Sequence, residues 1–501
     1  MLRMSVDNAV KICPDALDPE SELDLYVDEL RSKSLQYGLL QVTYAFREYW
    51  KVESYVHLTA LYLLDCSGNV PKIRATVSDA APPNWTAFSE SSNSIPFDYE
   101  VLREIYSSWS EKSDAADVSL FEGWVSVPVY VPKPWGREVW YTGIENRGVA
   151  HVSDGTRRSL LPWVLSVAPR LLTRSRDQNV MLVKVLEPFS DPLYGNLYYE
   201  LHPKKQEVYI VTDIDEMAWP DVIGEIKLGV NQTIRRLHRD DKAFRRAFID
   251  ALRAYQAIRN RIDSHIQVGD RNNKLSLASS LTPKDKRELD RFVPMQLKKT
   301  ERDLRRRVDM FFDSAHVSAG SVVKVPPYAP HAVQHGVRCL GFQTQHYDRL
   351  IFASCQKVLT QKDWDIEEAV ATMLIDSDSQ HETANSPQAT GSPSEPIAVL
   401  EELSVCRMEI LSGTSRALTN DKDYCVLCLR GSGAIDFGLA TKSIALHGET
   451  VLFVPRSVQQ FTVSASSHHA EPLTLLMGFP NASAKVIEQG GVTSRACMAE
   501  A

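Results

Sequence analysis

The spacing of apolar positions changes character several times along this chain, and each change marks an element or a boundary. Over residues 21 to 36, Leu23, Tyr26, Val27 and Leu30 recur at three and four, with acids early in the run, which predicts an amphipathic helix whose dipole favours that charge order. Residues 57 to 64 and 72 to 77 are apolar-rich and flank Asp65-Cys-Ser-Gly-Asn, the pattern of a hairpin. Residues 80 to 95 are rich in Ser, Pro and Asn and predict a loop. Phe97, Val101, Leu102, Ile105, Tyr106 and Trp109 restore the helical period. Residues 1–120 therefore predict an α/β extension, and no chemistry is legible in them.

From residue 121 the texture turns to β. Trp124-Val-Ser-Val-Pro-Val-Tyr-Val alternates, and short apolar runs near Gly148, Val180 and Val208 follow with turn residues between them, the cadence of a sandwich or jelly roll. Residues 233–312 break that rhythm. Phe244, Phe248, Leu252, Tyr255, Ile258 and Ile262 form one helical stripe. Thr282 and Pro283 supply an N-cap and a first-turn proline for another helix, which Pro294 should interrupt. Strand patterning returns over 313–375. Residues 376–396 are Ser/Pro/Asp-rich and aperiodic, which predicts a linker. Residues 397–487 form a second β-rich unit, followed by a tail over 488–501. The expected fold is mainly β with α insertions: two jelly rolls, the first split by a helical insertion, behind an α/β extension.

Composition narrows the class. A length of 501 residues exceeds what one core serves, about 250 residues, so several domains are expected. No run of about 18 uncharged apolar residues predicts a membrane span. The N-terminus lacks the apolar core of a signal peptide, and the eight cysteines are scattered, so a reducing, cytoplasmic setting is expected. Cys425 and Cys428 lie on a predicted strand, which sends the two thiols to opposite faces rather than to one metal. The net charge of -8 conceals a basic stretch: residues 233–312 carry about ten more Lys and Arg than Asp and Glu. That stretch lacks the interleaved aromatics and groove-reading motifs of a nucleic-acid surface, so no nucleic-acid partner is expected.

The candidate chemistry sits in Gly195-Asn-Leu-Tyr-Tyr-Glu200-Leu-His202-Pro-Lys-Lys-Gln-Glu207. Glu200 and His202 are two apart, so a strand points both to one face, and Glu207 follows a short turn. Far downstream, Gly320-Ser-Val-Val-Lys-Val-Pro326-Pro-Tyr-Ala-Pro330-His331 delivers a single histidine from a strand and turn. Two carboxylates and two imidazoles suit zinc or another divalent ion. Lys133-Pro-Trp-Gly and the later Trp140 form an aromatic and glycine cluster that suits either a sugar pocket or a core turn.

These segments resemble the two halves of the cupin metal signature, with Glu200 where many cupins carry His and Tyr328 where Gly is usual. A second, metal-free framework of Gly and Pro recurs around Gly448 and Pro455, with Gln460 in the place of His331. A helical insertion inside a first cupin, followed by a cupin without metal, resembles the type I mannose-6-phosphate isomerases. Lys133-Pro-Trp-Gly is similar to that family's early Trp-Gly motif, Glu200-Leu-His202-Pro to its Gln-Val-His-Pro, and Val325-Pro-Pro-Tyr-Ala-Pro-His331-Ala to its second ligand segment. Gln343 with Tyr347-Asp-Arg349 is similar to the stretch ending in its catalytic-site arginine. Gly341 stands where the family has Glu, and its Lys-Pro-Glu loop has no evident counterpart.

The resemblance implies a zinc quartet of Glu200, His202, Glu207 and His331, and an enzyme that interconverts mannose 6-phosphate and fructose 6-phosphate. It places Arg349 on the phosphate or the developing oxyanion. Lys133, Lys204 and His335 are positional candidates for the proton-transfer group, with Lys133 carried alongside Arg349 as catalytic. The alternative is a non-catalytic metal-containing cupin that binds a sugar or sugar phosphate. A small sugar phosphate is the expected partner, and oligomeric state is not legible.

Overall fold

The computed structural model describes residues 4–6, 9–83, 98–173, 180–270, 281–358, 360–376, 394–420, 422–438, 443–468 and 471–481. The N-terminal segment is α/β, as its pattern predicts. Helix Pro19–Ser32 starts at Asp18, whose carboxylate accepts from the Glu20 N–H, with Pro19 in the first turn. It connects strands Val10–Ala16 and Tyr37–Arg47, which run parallel, and Tyr55–Asp65 and Lys72–Ser78 continue the sheet antiparallel. Leu23, Tyr26 and Leu30 pack one face of the sheet beside Leu40, Val42 and Tyr62. Leu102, Ile105, Tyr106 and Trp109 of helix Tyr99–Lys112 pack the other face beside Leu39, Leu61 and Leu63. Strand Val10–Ala16 left no alternating signature, because Lys11, Pro14 and Asp15 interrupt it.

The next unit is a two-sheet sandwich. One sheet has the order Val322–Val325, Glu207–Ile214, Val337–Gln343, Leu182–Pro188, Gly136–Trp140, Val129–Lys133. The facing sheet has the order Phe312–Val317, Gly224–Val230, His331–Val333, Tyr199–Leu201, Leu350–Ala353. Leu186, Val211, Val323 and Cys339 from the first meet Ile226, Leu228, Val333 and Ile351 from the second in one apolar core. The helical insertion lies on the outside of the second sheet. Phe244, Phe248, Leu252 and Tyr255 of helix Asp241–Gly269 bury Tyr199, Leu201, Phe352 and Ala353 from behind. The expected Thr282 cap is a complete capping box with Asp285, and Pro294 caps the start of helix Met295–Asp309.

A second sandwich follows, with Val426, Cys428 and Leu452 packed against Ile435, Phe461 and Val463. Strand Trp124–Val127 lies in this second sandwich, paired with Val451–Val454. The two sandwiches share a further core, in which Val183, Val208 and Phe342 meet Cys425, Phe453 and Leu476. Cys425 and Cys428 thus belong to different cores on opposite faces of one strand, both buried and unpaired. Of the expected linker, residues 377–393 lie outside the described residues, and residues 394–396 begin strand Ser394–Val399. The expected tail also lies outside them, as does most of the expected loop at 80–95. The fold is mainly β with α insertions. No described helix is long and apolar enough to cross a membrane.

Candidate metal centre

The two sheets of the first sandwich supply the four expected ligands from opposite sides. Glu200 pairs directly with His331 in one sheet, and Ile351 flanks Glu200 on its other side. Glu207 opens a strand of the facing sheet, between Val325 and Gln343. His202 sits in the turn that carries the chain from one sheet to the other. The second segment turns through Tyr328, whose φ of 62° lies in the left-handed region that favours glycine. Tyr328 is held there because its N–H donates to the His202 carbonyl at 2.8 Å, tying the two ligand segments together. Gly195 starts the first segment, and a Cβ there would stand 1.9 Å from the Phe189 carbonyl oxygen, so only glycine fits.

The ligand atoms converge. His331 Nε2 lies 3.1 Å from Glu207 Oε2, His202 Nε2 lies 3.7 Å from the same oxygen, and His202 Nε2 lies 3.8 Å from Glu200 Oε1. Ligand atoms of Glu200, His202 and His331 all fall within 4.8 Å of one another. Tetrahedral bonds of about 2.0–2.2 Å separate ligand atoms by about 3.3–3.6 Å, so the cluster is near the right size.

Tautomers decide what those nitrogens offer. His202 Nδ1 lies 3.1 Å from the Asp348 carbonyl oxygen, and His331 Nδ1 lies 2.9 Å from that of Ala329. A carbonyl only accepts, so both Nδ1 atoms carry hydrogen and both Nε2 lone pairs face the carboxylates. Neither Nε2 has a hydrogen-bond partner although both are buried. Two orphaned imidazole lone pairs beside two carboxylates fit a divalent cation, because a buried polar atom otherwise loses its hydration without return.

Electrostatics agree with that donor set at three of its members. At the fourth, burial works against the charged His331 imidazole, but Glu207 and Glu200 outweigh it and hold its pKa up, so an incoming cation displaces a proton shared with Glu207. Burial works against the Glu207 carboxylate, but His202, Lys205 and His331 outweigh it and hold its pKa well below the usual range. Burial likewise opposes the Glu200 carboxylate, and Arg349 leads the charges that hold its pKa down. Burial, with Lys205 beside it, pushes His202 down to about 3, which keeps its imidazole neutral and ligand-competent.

Cations and aromatic rings surround the ligand cluster. Arg349 Nη1 lies 3.3 Å from Glu200 Oε2, and its Nη2 donates to Thr360 at 3.2 Å. Lys205 is buried with Nζ 3.7 Å from Glu207 Oε1. Lys133 and Lys184 share Glu138, at 3.2 and 3.5 Å, and the same carboxylate accepts from the Trp140 indole at 2.6 Å. Burial pushes Lys133 down to about 8; Glu138 opposes that, while Arg147, Arg349 and Lys184 add to it. The side-chain amide of Gln343, fully buried and cross-strand from Glu207, has no partner on either atom.

No family model matches the chain, and no curated protein matches it in sequence. Among solved structures it is similar to the mannose 6-phosphate isomerase from Bacillus subtilis, at 13% identity and a TM-score of 0.45 over 71% of this chain and 99% of that one. It is similar to a putative mannosephosphate isomerase from Archaeoglobus fulgidus, at 10% and 0.44 over 72% and 98%. A mutant phosphomannose isomerase from Salmonella typhimurium matches at 10% and 0.47 over 72% and 100%. Values of that size decide neither family nor activity, which leaves the site's own chemistry to do so.

The structure brings Glu200, His202, Glu207, His331 and Arg349 together, with Lys133 in the adjoining wall. It does not bring in Lys204, which is exposed, or His335, which stacks on Trp219 at 4.9 Å and bonds Asn196. Trp135 is a core residue, whereas Trp140 faces the cations. Lys205, Lys184, Glu138 and Arg147 escaped sequence reasoning. Lys205 had a signal, since two-residue spacing from Glu207 puts both on one face of an extended chain. Glu138 and Lys184 had none, because an inward polar stripe across separate strands appears only when the strands pair.

Proposed function

We propose that this chain is a divalent-metal aldose–ketose isomerase of a sugar phosphate, with mannose 6-phosphate and fructose 6-phosphate as the substrate pair. The observation that carries this reading is the pair of orphaned Nε2 atoms facing Glu200 and Glu207 in a cluster surrounded by buried cations. The motif resemblance around Glu200, His202 and His331 narrows the class to this isomerisation. Zinc is the proposed ion, on a donor set of two imidazoles and two carboxylates.

When bound, a divalent ion supplies Lewis-acid polarisation of a substrate oxygen and a counter-charge for developing negative charge. The chain's own residues supply the rest. His202 and His331 are pre-oriented by their backbone carbonyl partners, so no rearrangement is needed to present their lone pairs. Arg349 holds Glu200 in place and keeps it ionised. Moving a proton between C1 and C2 requires a basic atom beside the ligands, and the Lys205 amine is placed there, 3.7 Å from Glu207. Lys133 stands further along the wall.

The test is exchange of the C2 proton of mannose 6-phosphate in heavy water by zinc-loaded protein, read by proton NMR. Exchange with formation of fructose 6-phosphate is expected. Stoichiometric zinc with no exchange would end the isomerase reading and return the sugar-binding one.

A further inference from the structure

Arg349 is the arginine that sequence reasoning places on the substrate's phosphate, yet in the structure its guanidinium is engaged by Glu200 and Thr360. Another arginine close to Glu138 and Glu200 is less committed. Arg147 lies at the tip of the short hairpin Ile144–Glu145 and Gly148–Val149. Glu145 takes its Nε edge at 2.7 Å and its backbone N–H at 2.8 Å, both on one carboxylate oxygen. That leaves Nη1, which is buried and has no hydrogen-bond partner. The guanidinium lies over the Trp140 ring, 5.3 Å from the centroid, and the Lys133 amine lies 5.8 Å from the same centroid.

Resting on the isomerase reading above, we infer that Arg147, together with Lys133 at the Trp140 ring, forms the subsite for the substrate's phosphate monoester. A buried donor without an acceptor is costly, and guanidinium nitrogens match phosphate oxygens in geometry. Charge supports a dianion. Lys133, Lys184 and Arg147 face Glu138 and Glu145, which leaves this wall with more positive than negative charge. The subsite is also fixed relative to the metal centre. The Ile144 N–H donates to the Tyr347 hydroxyl at 3.0 Å, and the Tyr347 ring carries the Lys205 amine at 5.9 Å. The hairpin is therefore latched to the wall that holds Glu207. Arg349 then acts as a positioning residue for Glu200 rather than as the anion clamp.

The experiment is calorimetric titration of inorganic phosphate into the full chain, once stripped of metal by chelation and once loaded with zinc. It compares the parent with Arg147→Ala, Arg147→Lys and Arg349→Ala, with melting curves confirming that each is folded. Losing one charge-assisted bond predicts roughly ten- to a hundredfold weaker phosphate binding in Arg147→Ala, in both metal states. Arg147→Lys should recover part of it, and zinc content should match the parent. With mannose 6-phosphate as substrate, Arg147→Ala should raise KM more than it lowers kcat. Parent-like phosphate binding by Arg147→Ala overturns the inference. So does a larger loss in Arg349→Ala, binding that requires zinc, or a parent that does not bind phosphate. If Arg147-dependent binding is present while C2 exchange is absent, the subsite stands and the isomerase reading alone fails.

Discussion

His331 Nε2 and Glu207 Oε2 stand 3.1 Å apart although the two residues belong to opposite sheets of the sandwich. Both side chains are buried, and Glu207 Oε2 also accepts from the Tyr209 hydroxyl at 2.9 Å. A buried pair of this kind needs a common partner, and the expectations below follow from supplying or removing that partner.

Removing one ligand should release the metal. His331→Ala and Glu207→Gln are each expected to lose zinc affinity by on the order of a hundredfold or more, beyond what losing an outer partner costs. Elemental analysis after dialysis against a weak chelator reads this directly. Retention of one zinc per chain by both variants would exclude the proposed quartet.

Arg349→Ala should separate positioning from coordination. Glu200 loses the charge that leads in holding its pKa down, so zinc affinity should fall by about ten- to a hundredfold while the site still loads at saturating metal. Turnover should fall further than affinity. Turnover equal to the parent at saturating zinc would remove Arg349 from the mechanism.

Zinc should also stabilise the fold, because the ion binds a site that exists only when both sheets are in place. At a free concentration a hundred times Kd the gain is about 2.7 kcal/mol. A thermal melt of the stripped and loaded chain measures it. Identical melting temperatures in the two states would contradict a site that spans both sheets.

Asp154 offers a pH-dependent expectation away from the metal. Its carboxylate accepts from the backbone N–H groups of Asp117, Thr156 and Arg157 at 3.0, 2.8 and 2.8 Å. Burial pushes its pKa up, but these bonds outweigh burial and bring it down to about 2. A depressed carboxylate pKa contributes stability above its unfolded value, near 3.9, and loses it as pH falls through about 2. Asp154→Asn should therefore cost on the order of 1 kcal/mol at pH 7, with solvent screening included. Melting curves of the two proteins should converge between pH 4 and pH 2, and a gap that stays constant would show that charge is not the cause.

Cutting the chain between residues 377 and 393, a stretch rich in Ser and Pro, should not separate the two sandwiches. Strand Trp124–Val127 pairs with Val451–Val454 across the cut, and Val208 and Phe342 share a core with Phe453 and Leu476. The nicked fragments should co-elute on gel filtration under native conditions. Fragments that elute apart would show that the shared core contributes little.

Local periodicity alone determined the helices at Leu23, Phe244 and Leu102, the hairpin around Asp65, the cap at Thr282 and the β character of both sandwiches. Those features depend on neighbours within a few residues, so the chain displays them directly. The metal cluster was half legible for the same reason: Glu200, His202 and Glu207 are close in sequence, and the turn before His331 is local. Tertiary structure alone decided that Glu207 would face His331, because that depends on two sheets packing. Lys205 was legible in part, since it stands two residues before Glu207, and the packed sheets then bury it while Lys204 in the preceding bend stays exposed. The cationic wall of Lys133, Lys184, Glu138 and Arg147 was assembled by strand register, which pairs Lys184 with Trp140 across strands that begin more than forty residues apart. Long-range pairing of that kind leaves no mark on either segment by itself, because each reads as an ordinary β-strand until its partner is known.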